Sequence, residues 1–365
     1  LFCAITKGCS DYRIPRKLPA MVIAPMRLED LGWHDAQQAQ LAPEDADLTP
    51  ARIANVHRDR VVALTEAGPL ELTLDPGLTT ASVAVGDFVL CAPDQYRLIR
   101  VLDRQTELSR GTEYHTGDKQ LIAANLDTLF ITTSCNADFN PARLERYLAL
   151  AHDAGVRPVI VLTKADLTDE ADRFADQARA LGRDLDVLAV NAKGADLVAQ
   201  FAPYCGPGQT VALAGTSGVG KTTIANALTG GNAATRDIRD DDARGRHTTT
   251  GRSLHRMRTG GWLIDTPGMR GLGLAEVGFG IDATFPEISE LAEQCKFRDC
   301  AHEGEPGCAV QAAVKAGQVD PDRLARFKKL KSENTQATEA IALARDKVRK
   351  QGRTAKGSKK PRQKS

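Results

Sequence analysis

The stretch Gly215-Thr-Ser-Gly-Val-Gly-Lys-Thr222 follows the apolar run 211–214 and leads into "TTIANALTG". Strand, glycine loop and helix in that order, with the pattern GxxxxGK[ST], restrict this region to an α/β fold that presents backbone N–H groups to phosphate. Glycines let consecutive amides converge on phosphate oxygens, and the helix N-terminus adds partial positive charge. The expected contacts are Gly215, Thr216, Ser217, Gly218, Val219, Gly220, Lys221, Thr222 and Thr223. Lys221 is expected on the β- and γ-phosphates and Thr222 on Mg²⁺. A plain glycine turn would explain the glycines but not Gly-Lys-Thr placed between a strand and a helix. The loop alone allows ATP or GTP, and it lies past the middle of a 365-residue chain.

The base is addressed upstream. Thr163-Lys164-Ala165-Asp166 follows "PVIVL" and resembles the Asn-Lys-x-Asp motif of GTPases, with Thr in place of Asn. In that family the Asp accepts from guanine N1–H and the exocyclic amine, while the Lys stem packs on the base face. A carboxylate there would repel the acceptor N1 of adenine. Asn191-Ala192-Lys193, after "DVLAV", resembles the loop whose Ala N–H meets guanine O6. Asp265-Thr-Pro-Gly268, after "WLI", resembles Asp-x-x-Gly, with Asp265 holding Mg²⁺ through water and Gly268 sensing the γ-phosphate. In "GRHTTTG", Thr249 is the favoured further Mg²⁺ ligand, with Thr248 and Thr250 as rivals. The usual catalytic Gln after Asp-x-x-Gly is replaced by Met269, so His247 is the candidate for positioning water; the bland alternative is that it only braces the switch. The motif order describes a circularly permuted GTPase, a rearrangement tolerated where termini lie close together on the surface.

Around these motifs the chain divides into regions. Residues 1–47 read as an N-terminal extension, partly disordered; periodic sequence begins near Arg27, and Met21 or Met26 are alternative starts. Residues 48–107 carry about five short alternating runs broken by turn signals. They predict a small β-barrel, with the OB-fold as the expectation, although pattern alone does not separate it from an SH3-like barrel. From 108 to 282 strands and helices alternate, as in a mostly parallel sheet. Residues 283–330 read as a mostly helical zinc-binding domain, and 331–365 as a basic, disordered tail. From Arg326 to the end, fourteen Lys/Arg face three acidic residues, while the whole chain is only +1. A basic end on an acidic body suggests a polyanionic partner, nucleic acid above all; the bland alternative is a solvated tail.

Five of the eight cysteines are scattered; the others stand in Cys295-x4-Cys300-x-His302-x5-Cys308. Three thiolates and one imidazole at this spacing suit a closed tetrahedral site, and so one structural Zn²⁺ in a reducing cytoplasm. No run approaches a membrane span.

The permuted motifs, "LEDLGW", "GRHTTT" and the Cys/His spacing together resemble the RsgA (YjeQ, YloQ) family of circularly permuted GTPases, over roughly 28–320. That resemblance implies a cytoplasmic GTPase in late maturation of the 30S ribosomal subunit, stimulated by that subunit, with barrel and zinc domains on 16S rRNA. A monomer is the expected state. The departures are Thr163, Asn191 and the entry to the GTPase domain, "SRGTEYHTGDKQLIAAN". Two other readings are a GTP-gated RNA-binding assembly scaffold with little catalysis and a phosphate-loop kinase or ATPase.

Overall fold

The computed structural model describes residues 26–111, 119–231, 252–265 and 276–357, with side chains of 26–109, 120–231, 252–265 and 276–346. The barrel is built from β1 (Thr49–Val56), β2 (Val61–Thr65), β3 (Gly68–Leu74), β4 (Phe88–Ala92) and β5 (Arg97–Val101). Its order is β1-β2-β3-β5-β4, and β4 returns to β1, so the sheet closes. Only β3 and β5 run parallel; that closure and pairing is the OB topology, and it settles what alternation left open. Alternate residues point inward, so Ile53, Val61, Leu72, Val89 and Leu98 are wholly buried.

The described residues ahead of the barrel are packed. The segment Met26–Trp33 buries Met26, Leu31 and Trp33, Trp33 lies edge-on to Phe88, and helix α1 (Asp35–Gln38) follows. Beneath it sits Arg52 of β1, 1 % exposed. Its Nε donates to Gly86 O (3.3 Å), Nη1 to Leu31 O (2.6 Å), and Nη2 to Asn125 O (3.3 Å) and Thr210 Oγ1 (2.7 Å). One guanidinium thus joins the N-terminal segment, the barrel and the foot of the phosphate-loop strand. Burial pushes its pKa down to about 10, opposed by Asp127 and Asp87, so it stays charged at neutral pH. Arg52→Met should cost about 3–5 kcal/mol, because buried carbonyls lose their donor. Urea unfolding reads this, and a change below about 0.5 kcal/mol would reject the assignment.

After the two-stranded pair β6 (Glu107–Gly111) and β7 (Lys119–Ala124), the central sheet contains β8 (Thr128–Ser134), β9 (Arg157–Thr163), β10 (Asp186–Ala189), β11 (Thr210–Gly215), β12 (Ser253–Arg256) and β13 (Trp262–Asp265). Their order is β10-β9-β8-β11-β13-β12, parallel except for β12 against β13. Residues on β8 and β11 such as Leu129, Phe130, Ile131 and Val211 are buried on both faces of the sheet, which is why these runs read as continuously apolar. Helices α2 (Pro141–Asp153), α3 (Ala171–Arg179), α4 (Leu197–Phe201) and α5 (Lys221–Thr229) alternate with these strands. Asn140 caps α2, its side chain accepting from Arg143 N, with Pro141 at the first position. Because the strands are parallel, the ends of β9, β10, β11 and β13 share one edge, the edge where ligands bind in such sheets. Strand β11 lies inside this sheet although three of the sheet's strands precede it in sequence. That is the predicted permutation.

The C-terminal part comprises α6 (Gly278–Thr284), α7 (Pro286–Ala292), α8 (Ala309–Lys315) and α9 (Pro321–Gly357). Gly280 lies against α2 so closely that a Cβ there would come 1.9 Å from Ala149 O. Glu145 of α2, fully buried, accepts from Arg323 (3.0 Å) and Arg326 (2.7 Å) of α9. Burial raises the Glu145 pKa even against these two cations. Helix α9 continues well into the stretch whose composition suggests a disordered tail. Glu333 pairs with Arg146, Thr338 Oγ1 accepts from Glu276 N (2.9 Å), and Arg345 reaches Glu276 (2.9 Å). No helix among the described residues is long and apolar enough to cross a membrane.

Candidate functional site

Strand β11 ends at Gly215, whose φ of 136° leaves the region open to side chains, and a Cβ there would lie 2.1 Å from Thr132 O on β8. The loop then turns through Gly218 and Gly220, both at positive φ, into α5. Gly220 occupies the N-cap of α5 at φ 98°, which leaves the first helical amides available to an anion. Lys221 Nζ donates to Gly215 O (3.0 Å) and Thr216 O (2.5 Å), so the ammonium lies across the loop it closes. Val219 is buried, whereas Ser217 and Thr222 are exposed.

The base motifs meet this loop. A Cβ on Gly220 would lie 3.5 Å from Thr163 Cγ2 and 3.8 Å from Ala192 Cβ. Three segments separated by tens of residues therefore converge within a side chain's width of Gly220. Thr163, fully buried at the end of β9, has its hydroxyl 2.6 Å from Val219 O and 3.1 Å from Thr133 O. A hydroxyl has a single proton, and the nearer carbonyl is in the phosphate loop. Its role as a strap between base loop and phosphate loop was not legible in the motif, although the Thr-for-Asn departure marked the position. Lys164 adopts φ 59°, a left-handed conformation uncommon for a side chain of this size, and the chain enters a short turn, Ala165–Leu167, that exposes Asp166. Ala165 N reaches Val190 O (3.4 Å), and Asn191 Oδ1 accepts from Lys193 N (2.9 Å), fixing the second base loop internally. Asp265 ends β13, opposite Ser253 of β12. His247, Thr248, Thr249, Thr250, Gly268 and Met269 lie outside the described residues.

In the second cluster, the ligand atoms of Cys295, Cys300, His302 and Cys308 all lie within 4.8 Å of one another. Cys295 Sγ is 3.9 Å from Cys308 Sγ, and His302 Nδ1 is 3.7 and 3.5 Å from these sulfurs. A tetrahedral ion with Zn–S near 2.3 Å and Zn–N near 2.0 Å requires edges of about 3.8 and about 3.5 Å. Cys295, His302 and Cys308 therefore stand at the spacing of such an ion, and Cys300 lies near enough to complete the set, so the cluster could hold a metal. Cys308 also caps α8, its sulfur accepting from Gln311 N (3.4 Å), while Gln311 Nε2 donates to His302 O (2.6 Å). Glu305, unremarked in the sequence, gathers the loop: its carboxylate accepts from Ala301 N (2.8 Å), Glu303 N (2.8 Å) and Gly304 N (3.1 Å). Its own N–H, with those of Glu303 and Gly304, draws its pKa down to about 2. The clasp is therefore present above the ordinary carboxylate range and is lost as pH falls towards 2.

Comparison with known proteins agrees with this geometry. The profile of the RsgA GTPase family matches residues 101–275. The chain is 54% identical over 323 residues to the small ribosomal subunit biogenesis GTPase RsgA of Mesorhizobium japonicum, covering 87% of this chain and 93% of that one. It is 43% identical over 343 residues to RsgA 2 of Vibrio parahaemolyticus, covering 93% and 95%. Among solved structures it resembles YloQ, a circularly permuted GTPase, with a TM-score of 0.57 and 26% identity, covering 81% of this chain and 98% of that one. The fold is also that of YjeQ from Thermotoga maritima, with a TM-score of 0.59 and 24% identity, covering 78% and 97%. Permuted strand order, meeting loops and overall similarity converge: this chain belongs to the RsgA family of circularly permuted GTPases.

Proposed function

We propose that this protein hydrolyses GTP to GDP and phosphate during late maturation of the small ribosomal subunit and is stimulated by that subunit. The observation that supports the reading is the convergence of the loops after β9 and β10 on the phosphate loop, with Thr163 Oγ1 2.6 Å from Val219 O, in a chain related to small-subunit biogenesis GTPases. In this assignment Lys164, Ala165 and Asp166 hold the guanine ring and its N–H edge. Ala192, between Asn191 and Lys193, meets O6. Residues 215–223 hold the phosphates. Thr222, Asp265 and, by sequence, Thr249 would hold Mg²⁺, which supplies charge neutralisation on the phosphates when bound. Gly268 would sense the γ-phosphate.

Met269 cannot orient water, and His247 takes that role with a neutral imidazole accepting from the attacking molecule. The ion at Cys295, Cys300, His302 and Cys308 is zinc and structural, since four protein donors leave no open position. The barrel (48–107), the zinc domain (283–330) and the basic end (331–365) bind 16S rRNA, and the protein acts as a cytoplasmic monomer around its GTPase domain (108–282).

The experiment is multiple-turnover GTP hydrolysis with small subunits, large subunits or neither. Selective stimulation by small subunits is expected. Rates indifferent to both would favour the scaffold reading. His247→Ala should lower the stimulated rate by about 10²–10⁴ with GTP affinity retained. Undiminished stimulated turnover would remove His247 from the mechanism.

A further inference from the structure

The metal-bearing loop carries a feature that metal binding does not use. Phe297, between Cys295 and Cys300, is 43% exposed, and its neighbours Lys296 and Arg298 are exposed as well. Lys296 Nζ stands 5.4 Å from the centre of the Phe297 ring. The backbone beneath the ring is held on both sides: Lys296 N donates to Gly307 O (3.1 Å) and Cys300 N to Phe297 O (3.3 Å). A solvent-facing ring thus stands on a hydrogen-bonded turn between two candidate metal ligands, Cys295 and Cys300.

The ring's immediate neighbours in the chain, Lys296 and Arg298, are both cationic. Helix α9 brings Lys328 to the same loop through Glu303 (2.8 Å), and Lys329, one residue further, is exposed. Of the loop's acids, Glu305 accepts from backbone amides and Glu303 pairs with Lys328, while Glu293 and Asp299 are exposed. A single ring flanked by cations is too small an apolar surface to anchor a protein partner, which needs a packed cluster. It suits a planar ligand joined to negative charge. Unpaired nucleotides combine these properties, and aromatic residues on small zinc modules or open sheets hold them by stacking.

We propose that Phe297 is a stacking platform for one unpaired base of single-stranded RNA, with Lys296 and Arg298 neutralising the adjoining phosphates. The proposal deepens the ribosomal reading above and rests on it for the presence of RNA. It assigns the ring to a base in a loop or strand end, because a base inside a duplex offers no free face. Stacking of this kind tolerates any base, since every base has a π face.

The test uses the full-length, zinc-loaded protein and a fluorescently labelled, unstructured 12-nucleotide RNA, with a 12-base-pair RNA duplex as comparison. Phe297→Ala should weaken single-strand binding by about 5- to 150-fold, the range corresponding to one stacked base, and leave duplex binding unchanged. Phe297→Leu, which keeps an apolar side chain but no ring, should show the same loss with zinc content intact, and Phe297→Tyr should restore binding. The slope of log affinity against log salt should stay constant in Phe297→Ala and fall by about 0.7 in each of Lys296→Ala and Arg298→Ala. Single-strand affinity unchanged in Phe297→Leu, or equal loss for the duplex, overturns the platform. Hydrolysis stimulated by small subunits in a protein that binds neither oligonucleotide rejects the platform alone. Hydrolysis indifferent to subunits in a protein that loses single-strand binding on Phe297→Leu rejects the ribosomal reading alone.

Discussion

Replacing Cys308 by serine should release the metal ion and unfold the loop from Cys295 to Cys308, with α8 losing its cap. Cys308 is nearly buried, stands within 4 Å of both Cys295 Sγ and His302 Nδ1, and accepts from Gln311 N. Between Glu293 and Gly307 there is no helix or strand, so the loop has no ladder of its own to survive on. Structural zinc supplies about 10–16 kcal/mol of apparent binding energy in small modules, far above what one capping bond contributes. Loss of one ligand removes most of it. Metal analysis should fall from one zinc per chain towards zero, and amides of 295–308 should exchange freely. Nucleotide affinity should be retained, because the phosphate loop lies on the central sheet. Zinc retained at full stoichiometry in Cys308→Ser, or a metal other than zinc in the native protein, would contradict the assignment.

Asp166→Asn should lower GTP affinity by about 10²–10⁴ and create affinity for xanthosine triphosphate. A carboxylate accepts both the N1–H and the exocyclic amine of guanine, each such charge-assisted bond contributing about 1.5–3 kcal/mol. The amide variant offers one acceptor and turns a donor towards a donor. Xanthine presents a carbonyl at that edge, which an amide can pair. Competition against fluorescent GDP measures both changes, with ATP ineffective throughout. Equal GTP affinity in wild type and variant would remove Asp166 from base recognition and reopen the ATPase reading.

These two effects concern features that were legible in one dimension. The phosphate loop, the four-residue base motif and the Cys/His spacing each need particular residue types at short, fixed separations, so the chemistry leaves its mark within about fourteen residues of chain. The permutation was legible too, because motif order is a property of the chain and each motif follows an apolar run. The five-strand count of the barrel could be read from alternation, but closure through β1 and β4 and the parallel β3–β5 pair could not. Alternation reports which residues face inward, not which strands become neighbours.

Other features depended on partners far along the chain. Arg52 reads as an ordinary charge in an amphipathic strand; only Leu31, Gly86, Asn125 and Thr210 around it turn it into a buried joint between domains. Glu145 sits on α2 as a charge that a helix surface would tolerate, yet α9 arrives 178 residues later to bury it. The composition of the last residues favours disorder, and contacts with Arg146 and Glu276 draw helix α9 into that stretch nonetheless. Thr163 shows both levels in one residue: its place at the end of β9 marks a candidate base loop, while its bond to Val219 exists only once β9 and β11 flank β8. By itself the sequence determined the nucleotide class, the candidate metal donors and the rotated order of the domain, because those rest on local spacing. Tertiary structure alone decided which charges are buried and which loops touch, because burial and pairing depend on segments that only the folded chain brings together.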